Sequence, residues 1–358
     1  MSRWRTPVSV IALALTAILS AACGSSGGSG AKSGDPDSPE TMSLNVPTAA
    51  ASAAEGPQVY AAAAGYYKKY GLSVSTPVSD SGTVLSEFTA GSVPLDSVGQ
   101  QQVAALYAKG FPVKVIACTD TNLPFHMFAQ SSITSVKDLV GKTIGTTALN
   151  SGHELAEQHW LLANGVNPSQ VHFVALGSVP DILAGLKSGS IAAGGLSYPV
   201  WEGAVTDSKL HLIGDAHVPP SSWVVSAKWA KNNQNTILAY LKGSIEGFYA
   251  YYADKSRALP VLAKFLNLNL SDATDKATVE QAYQTYLPPA LQPITKCASN
   301  WLSDWVFPYI PASQRTAITS KQYGAFVDDS YIQKLISSGF YQQMQQKYGA
   351  VKGFTIPS

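Results

Sequence analysis

The sequence predicts an α/β fold built from two units, each a mainly parallel sheet flanked by helices. Three observations carry that expectation. Strand-like and helix-like stretches alternate from Met42 to Cys118, the alternation restarts at Thr143, and a long helical region closes the chain after Pro219-Pro220. Alternating strands and helices imply crossover connections, which cover both faces of a parallel sheet.

The elements follow in order. Ser43–Val46 is a short extended run. Gln58–Tyr70 is Ala-rich and helical, with Gly71 as its stop. Leu72, Val74, Thr76 and Val78 repeat with the period of two of a strand. Gly82–Ala90 is helical, Leu95–Val98 apolar, Gln100–Lys109 helical and Val113–Cys118 β-branched. In the second unit Thr143–Thr146 is a strand, Ser151–Asn164 a helix and Val171–Ala175 a strand. Pro180–Ser188 is a helix with proline in its first turn. Ile191–Leu196 and Leu210–Gly214 read as strands, and Trp223–Ala227 follows Pro219-Pro220. The units join near residues 120–128 and 216–224, so the chain crosses twice, as at a hinge. The expected organisation is 42–123 for the first part of lobe 1, 124–220 for lobe 2, and 221–358 for the return to lobe 1.

The N-terminus reads differently. Arg3 and Arg5 precede a fifteen-residue apolar run, Val8–Ala22, and then Cys23. A membrane-spanning helix needs about 20 residues, so residues 1–22 are expected to be a signal peptide. Leu19-Ser20-Ala21-Ala22-Cys23 resembles the lipobox of bacterial lipoproteins, with Leu19 one place further from the cysteine than is usual. The resemblance implies that Cys23 is lipidated; an ordinary cleaved signal is the alternative. Residues 23–41 then form a Gly/Ser/Asp/Pro-rich tether.

The 358 residues carry 24 basic and 23 acidic side chains, a net charge of +1. No basic surplus exists to displace counterions from nucleic acid. Only 13% of residues are charged and 46% are hydrophobic, which excludes a disordered chain.

Five motifs, in order, resemble one family. They are Tyr66-Tyr67-Lys68-Lys69-Tyr70-Gly71-Leu72, Glu87 to Asp96, Lys109 to Ala117, Asp138-Leu139-Val140-Gly141-Lys142-Thr143-Ile144-Gly145, and Asp181 to Ile191. Together they resemble the periplasmic solute-binding proteins of ABC transporters for nitrate, sulfonate, taurine and thiamine precursors, over roughly residues 43–230. The resemblance implies a two-lobed periplasmic binding protein type II fold, the Venus flytrap. It also implies a small-molecule ligand, an ABC permease and ATPase as partners, and an extracytoplasmic location on the membrane through Cys23. Two positions depart from the family pattern: Ala192 and Tyr198-Pro199 stand where acidic residues are common. The ligand is therefore expected to be anionic or neutral and planar, of sulfonate, nitrate or pyrimidine kind. A monomer is expected, with no cofactor and no metal.

The residues make their own case for binding. In open α/β sheets ligands sit at the carboxyl ends of strands, near the free N–H groups of helix N-termini. Three such junctions are rich in small hydroxyl residues: Ser79–Thr83, Ser97–Gln101 and Thr146–Gly152. They nominate Ser81, Thr83, Gln100, Asn150 and Ser151 as polar contacts. Helix capping alone explains any one of them. Phe125 and His126 fall at the first crossover, and Tyr198 and Trp201 in a strand-to-helix loop. Phe125, His126 and Trp201 are candidate aromatic walls and Tyr198 a further polar contact, with core packing as the alternative. Trp160, Trp229, Trp301 and Trp305 lie within or beside helical runs and are expected in the core.

Catalytic motifs do not form. His153 and His159 stand six apart on a helix, and a zinc-protease pair needs four. Gly195-Leu196-Ser197-Tyr198-Pro199 lacks the final glycine of a nucleophile elbow. No catalytic residue is nominated. An enzyme using His126 or His153 as a base, or a ligand-sensing lipoprotein, are the alternatives to a transport receptor. Cys118 and Cys297 are an even pair in an oxidising compartment and are expected to be bridged; two buried thiols are the alternative.

Overall fold

The computed structural model describes residues 37–48, 51–99, 102–103, 106, 109–119, 124–217, 221–285, 291–292 and 327–357. Cys23, the signal and tether up to residue 36, Gln100, Cys297, Trp301 and Trp305 lie outside the described residues, as does the side chain of Ser81.

Strands β1 (Ser43–Asn45) and β2 (Ser73–Ser75) pair in parallel. Between them lies α1 (Gly56–Ala63). The single helix expected over 58–70 ends early, because Gly65 takes a left-handed conformation (φ 79°) and the chain re-enters as a 3-10 turn, Tyr67–Tyr70. Gly71 (φ 79°) closes that turn, as its lack of a Cβ allows. The period-two run fades beyond β2: Leu72, before the strand, is buried but Val78, after it, is 52% exposed. Helix α2 (Ser81–Ala90) starts on the Asp80 carboxylate and stops at Gly91.

Beyond the β1–β2 pair, lobe 1 holds a four-stranded sheet in the order β11-β4-β10-β3. Its strands are β3 (Leu95–Gly99), β4 (Val113–Thr119), β10 (Ser221–Ser226) and β11 (Leu291–Gln292). Lobe 2 holds a five-stranded sheet in the order β7-β6-β8-β5-β9. Its strands are β5 (Pro124–Gln130), β6 (Thr143–Thr146), β7 (His172–Ala175), β8 (Ala193–Leu196) and β9 (Leu210–His217).

Strand direction refines the expectation of parallel sheets. β6, β7 and β8 pair in parallel, but β5 lies antiparallel between β8 and β9. β10 likewise lies antiparallel between β3 and β4. So β3 and β4 run the same way, with β10 and β11 against them, and β6, β7, β8 and β9 run the same way, with β5 against them. Strands β5 and β10 are each the first element after a crossing between lobes. A chain arriving from the other lobe enters the sheet from its opposite end and so runs against its neighbours.

Two helices flank the lobe 2 sheet: α3 (Gly152–Ala163) on one face and α4 (Val179–Ser188) on the other. Alternation along the strands feeds both cores. Met127, Ala129 and Ile144 pack with Ala156, Trp160 and Leu161 of α3. Phe128 and Leu196 pack with Ile182 and Leu186 of α4. Lobe 1 is closed by α5 (Gln234–Ala253), α6 (Lys255–Phe265), α7 (Ala273–Thr285), α8 (Ser330–Ser337) and α9 (Phe340–Tyr348). Helix α5 packs tightly on α1 at Gly247 and on the 3-10 turn at Gly243, where a Cβ would collide with Ala61 and Tyr67. Trp160 is buried, and Trp229 packs against the lobe 1 core. Among the described residues no helix is long and apolar enough to cross a membrane.

Candidate functional site

The nominated residues with described positions stand beside the carboxyl ends of the sheet strands. Thr83 follows β2, Asn150 and Ser151 follow β6, and Tyr198 and Trp201 follow β8. Phe125 and His126 open β5, whose reversed course brings its start to the same edge.

Several polar candidates act as caps. Thr83 donates its N–H to Asp80 Oδ1 (2.8 Å) and its hydroxyl to Asp80 Oδ2. Those bonds hold the exposed Asp80 carboxyl below its usual range. Ser151 is buried and caps α3, its Oγ accepting the Glu154 N–H (3.3 Å). Asn150 takes a left-handed conformation (φ 60°), donates its own N–H to the Glu154 carboxylate and leaves its side chain exposed. Burial raises the Glu154 pKa.

The four aromatic candidates divide. Phe125 and His126 are neighbours within a strand and face opposite sides of the sheet. His126 shares its face with Trp201 and Asp215: its ring meets Trp201 edge-on at 5.1 Å, and its Nδ1 lies 2.6 Å from Asp215 Oδ1. Tyr198 reaches the other way. Its ring is buried in the lobe 1 core cluster, and its hydroxyl donates to the Thr278 carbonyl of α7 (2.6 Å). It is thus a contact between lobes.

Phe125 belongs to a group on the α3 face. Its ring stacks on His153 at 3.8 Å and 15°. His153 Nε2 stands 3.4 Å from Glu157 Oε1, which accepts the Gly195 N–H at 2.9 Å. Gly195 is required by this approach: a Cβ there would lie 2.7 Å from His153 Nε2 and 2.9 Å from Phe125 Cβ. Both His153 ring nitrogens, Glu157 Oε2 and Thr146 Oγ1 are buried without a hydrogen-bond partner. Glu157 and Thr146 were not nominated. The signal for Glu157 was in the sequence, because the four-residue spacing that rules out His159 as a metal partner sets Glu157 beside His153.

Lobe 1 has a similar feature. Asp96 is buried, its Oδ1 accepts the Ser97 N–H (2.7 Å), and its Oδ2 has no partner. Burial, with Glu55 nearby, pushes its pKa up to about 7. Among the described residues no group of three or more His, Cys, Asp or Glu side chains could hold a metal.

Comparison with known proteins gives these features a context. Residues 54–256 match the family described as NMT1/THI5 like. A curated relative from Brachyspira hyodysenteriae, described as an ABC transporter periplasmic binding protein, is 27% identical over 231 residues. That alignment covers 59% of this chain and 66% of the relative. Among solved structures, a protein of Bordetella bronchiseptica superposes with a TM-score of 0.66 at 19% identity, covering 87% of this chain and 99% of that one. The nitrate-binding protein NrtA of Synechocystis gives 0.63 at 14% identity, covering 84% and 90%. The alkanesulfonate-binding protein SsuA of Xanthomonas axonopodis, bound to MOPS, gives 0.59 at 18%, covering 72% and 88%. The fold is that of the periplasmic binding proteins.

Proposed function

The chain belongs to the NMT1/THI5-like family, and from that premise we propose that it is the extracytoplasmic solute receptor of an ABC importer. It captures a small organic solute between its lobes by hinge closure and presents it to a permease and its ATPase. One observation carries this reading. The chain passes twice between two separate sheets, and the nominated residues gather beside the carboxyl ends of their strands, where α/β proteins bind ligands. The tyrosine contact from the β8 loop to α7 supports two bodies that meet across a cleft. Hinge closure gains from a solute only its differential affinity for the closed state.

The proposed organisation is the one expected from sequence: signal peptide 1–22, lipidated Cys23 and tether to 41, and lobes divided at 123/124 and 220/221. The ring faces of His126 and Trp201, which share one side of the sheet, favour a solute with a planar part. Mature protein from the native membrane fraction should carry a lipid mass on an N-terminal Cys23; a free, unmodified N-terminus there overturns the anchor.

The proposal includes a Cys118–Cys297 bridge. Its support is the pairing of Gln292 with Cys118, which brings the chain beside that buried cysteine five residues before Cys297. Intact mass after alkylation should be unchanged without reductant and rise by two labels after reduction.

Ligand-induced stabilisation tests the receptor reading. A solute held at 100 times its dissociation constant stabilises the protein by about 2.7 kcal/mol. A panel of sulfonates, nitrate, pyrimidines, amines and amino acids, read by melting temperature, should contain at least one such solute, recovered unchanged after incubation. A panel without any shift overturns the reading, and a converted solute replaces it with the enzyme alternative.

A further inference from the structure

Lobe 2 carries a built polar site that no step so far has used. Thr146 closes β6, one residue beyond the registered pair Gly145–Gly194, which sets it beside Gly195. A Cβ on Gly194 would meet Ile182 of α4, so Gly195 faces α3, toward His153, Glu157 and Phe125. Three side chains therefore converge on one spot: Thr146 and Glu157 at 0% exposure and His153 at 5%. A buried polar atom without a partner costs about 1–3 kcal/mol, and more when charged. Four such atoms in one place are expensive unless an occupant satisfies them.

The chemistry of the occupant follows from which atoms are open. Glu157 Oε1 is engaged by the Gly195 N–H, while Oε2 is open and can only accept. His153 Nε2 stands 3.4 Å from Glu157 Oε1, and in the tautomer with its proton on Nε2 the ring leaves Nδ1 as an acceptor. The Thr146 hydroxyl can also accept. The open set therefore calls for a donor with several hydrogens.

The charge balance points the same way. Glu154 and Glu157 lie in the first two turns of α3, and Asp215 lies at the end of β9. Among the described ion pairs no lysine or arginine meets any of the three: Glu157 has only His153, and Asp215 only His126. Phe125, half-buried, opens the strand that follows the first crossing and stacks over His153.

We propose that Glu157, His153 and Thr146 form the floor of a lobe 2 subsite that takes a protonated nitrogen group, an ammonium or amidinium, carried by the solute. This rests on the receptor reading and gives it a substrate class. It departs from the anionic or neutral solute expected from the sequence and from the anionic solutes for which two of the superposing proteins are named.

Three probes with one ring and different heads test it: benzylamine, benzyl alcohol and phenylmethanesulfonate, each titrated at pH 6.5 against wild type and Glu157→Gln. Glutamine keeps the oxygen that accepts the Gly195 N–H and removes the charge. The expected result is that benzylamine binds wild type at least tenfold more tightly than the other two. The variant, with its unliganded melting temperature within a few degrees of wild type, should lose that preference. Preference for the sulfonate, no binding of benzylamine, or an unchanged preference in the variant overturns the proposal. If Glu157→Gln fails to fold, Thr146→Val, which removes only a hydroxyl, should weaken benzylamine severalfold; unchanged affinity overturns the proposal. The two readings fail separately. If another solute binds and the amine does not, the nitrogen assignment falls alone. If no solute in the wider panel binds, the receptor reading falls with it.

Discussion

Two carboxylates of this protein are equally inaccessible and differently used. Glu246, on α5 in lobe 1, is 2% exposed and fully partnered. Lys69 and Lys347 each reach its Oε1 at 2.8 Å, Tyr348 donates to the same oxygen, and Tyr70 donates to Oε2 at 2.7 Å. Those donors come from the 3-10 turn after α1 and from α9, so one side chain ties three parts of lobe 1 together. Glu157, on α3 in lobe 2, is 0% exposed and holds one backbone N–H, with one oxygen left over. A saturated carboxylate has nothing further to offer a ligand; it is a structural tie. An incompletely satisfied one keeps bonding capacity that the fold does not consume.

The largest expected effect lies at the tie. Glu246→Gln keeps the shape and removes the charge that two ammonium groups share, although both lysines are about half exposed, which tempers each pair. A loss of about 2–3 kcal/mol is expected in urea unfolding. A loss below about 0.5 kcal/mol would remove the contrast with Glu157. The same carboxylate sets an acid limit. Burial alone would raise its pKa, but the bonds from Lys347, Lys69, Tyr348 and Tyr70 outweigh it and hold the value at about 2, against 4.5 unperturbed. Because the folded value is depressed, its stabilisation is complete above about pH 5 and is lost as pH falls from 4.5 toward 2. Wild type should lose stability over that interval more steeply than Glu246→Gln, as read by urea midpoints at each pH.

A middle effect is expected where the lobes touch. Tyr198→Phe removes the bond to the Thr278 carbonyl and keeps the ring, at a cost of about 1 kcal/mol. Because that bond joins the β8 loop to α7, small-angle scattering should show a larger mean radius for the unliganded variant. An unchanged radius would mean the contact does not bias the lobes.

The smallest effect is expected at the open carboxylate. Glu157→Gln should change unfolding free energy by less than about 1 kcal/mol, since the Gly195 N–H keeps its acceptor. A loss as large as that of Glu246→Gln would make Glu157 a second structural tie.

Much of the scaffold was legible locally. Helix α2 could be bounded from Asp80 and Gly91, and α4 from the proline of its first turn and Gly189. Each boundary rests on a cap whose chemistry lies within a few residues. Strand β5 was read only as part of a crossover. Its neighbours β8 and β9 lie more than sixty residues away in sequence, and its reversed direction is visible only in the pairing. The strand also sets Phe125 and His126 on opposite faces of the sheet, which their place in a crossover did not show. Thr83 and Ser151 were nominated for their hydroxyls without knowing that Asp80 and Glu154 engage them.

The order of residues alone settled the alternation of elements, the helix stops and the family resemblance, because caps, glycine conformations and hydrophobic periods act over a few neighbours. Partnership was decided by the folded chain. Glu246 gathers donors from residues 69 to 348, Tyr198 finds a carbonyl eighty positions away, and Glu157 keeps an oxygen free. Whether a buried polar atom is satisfied depends on which distant segments arrive beside it, and only packing in three dimensions brings those segments together.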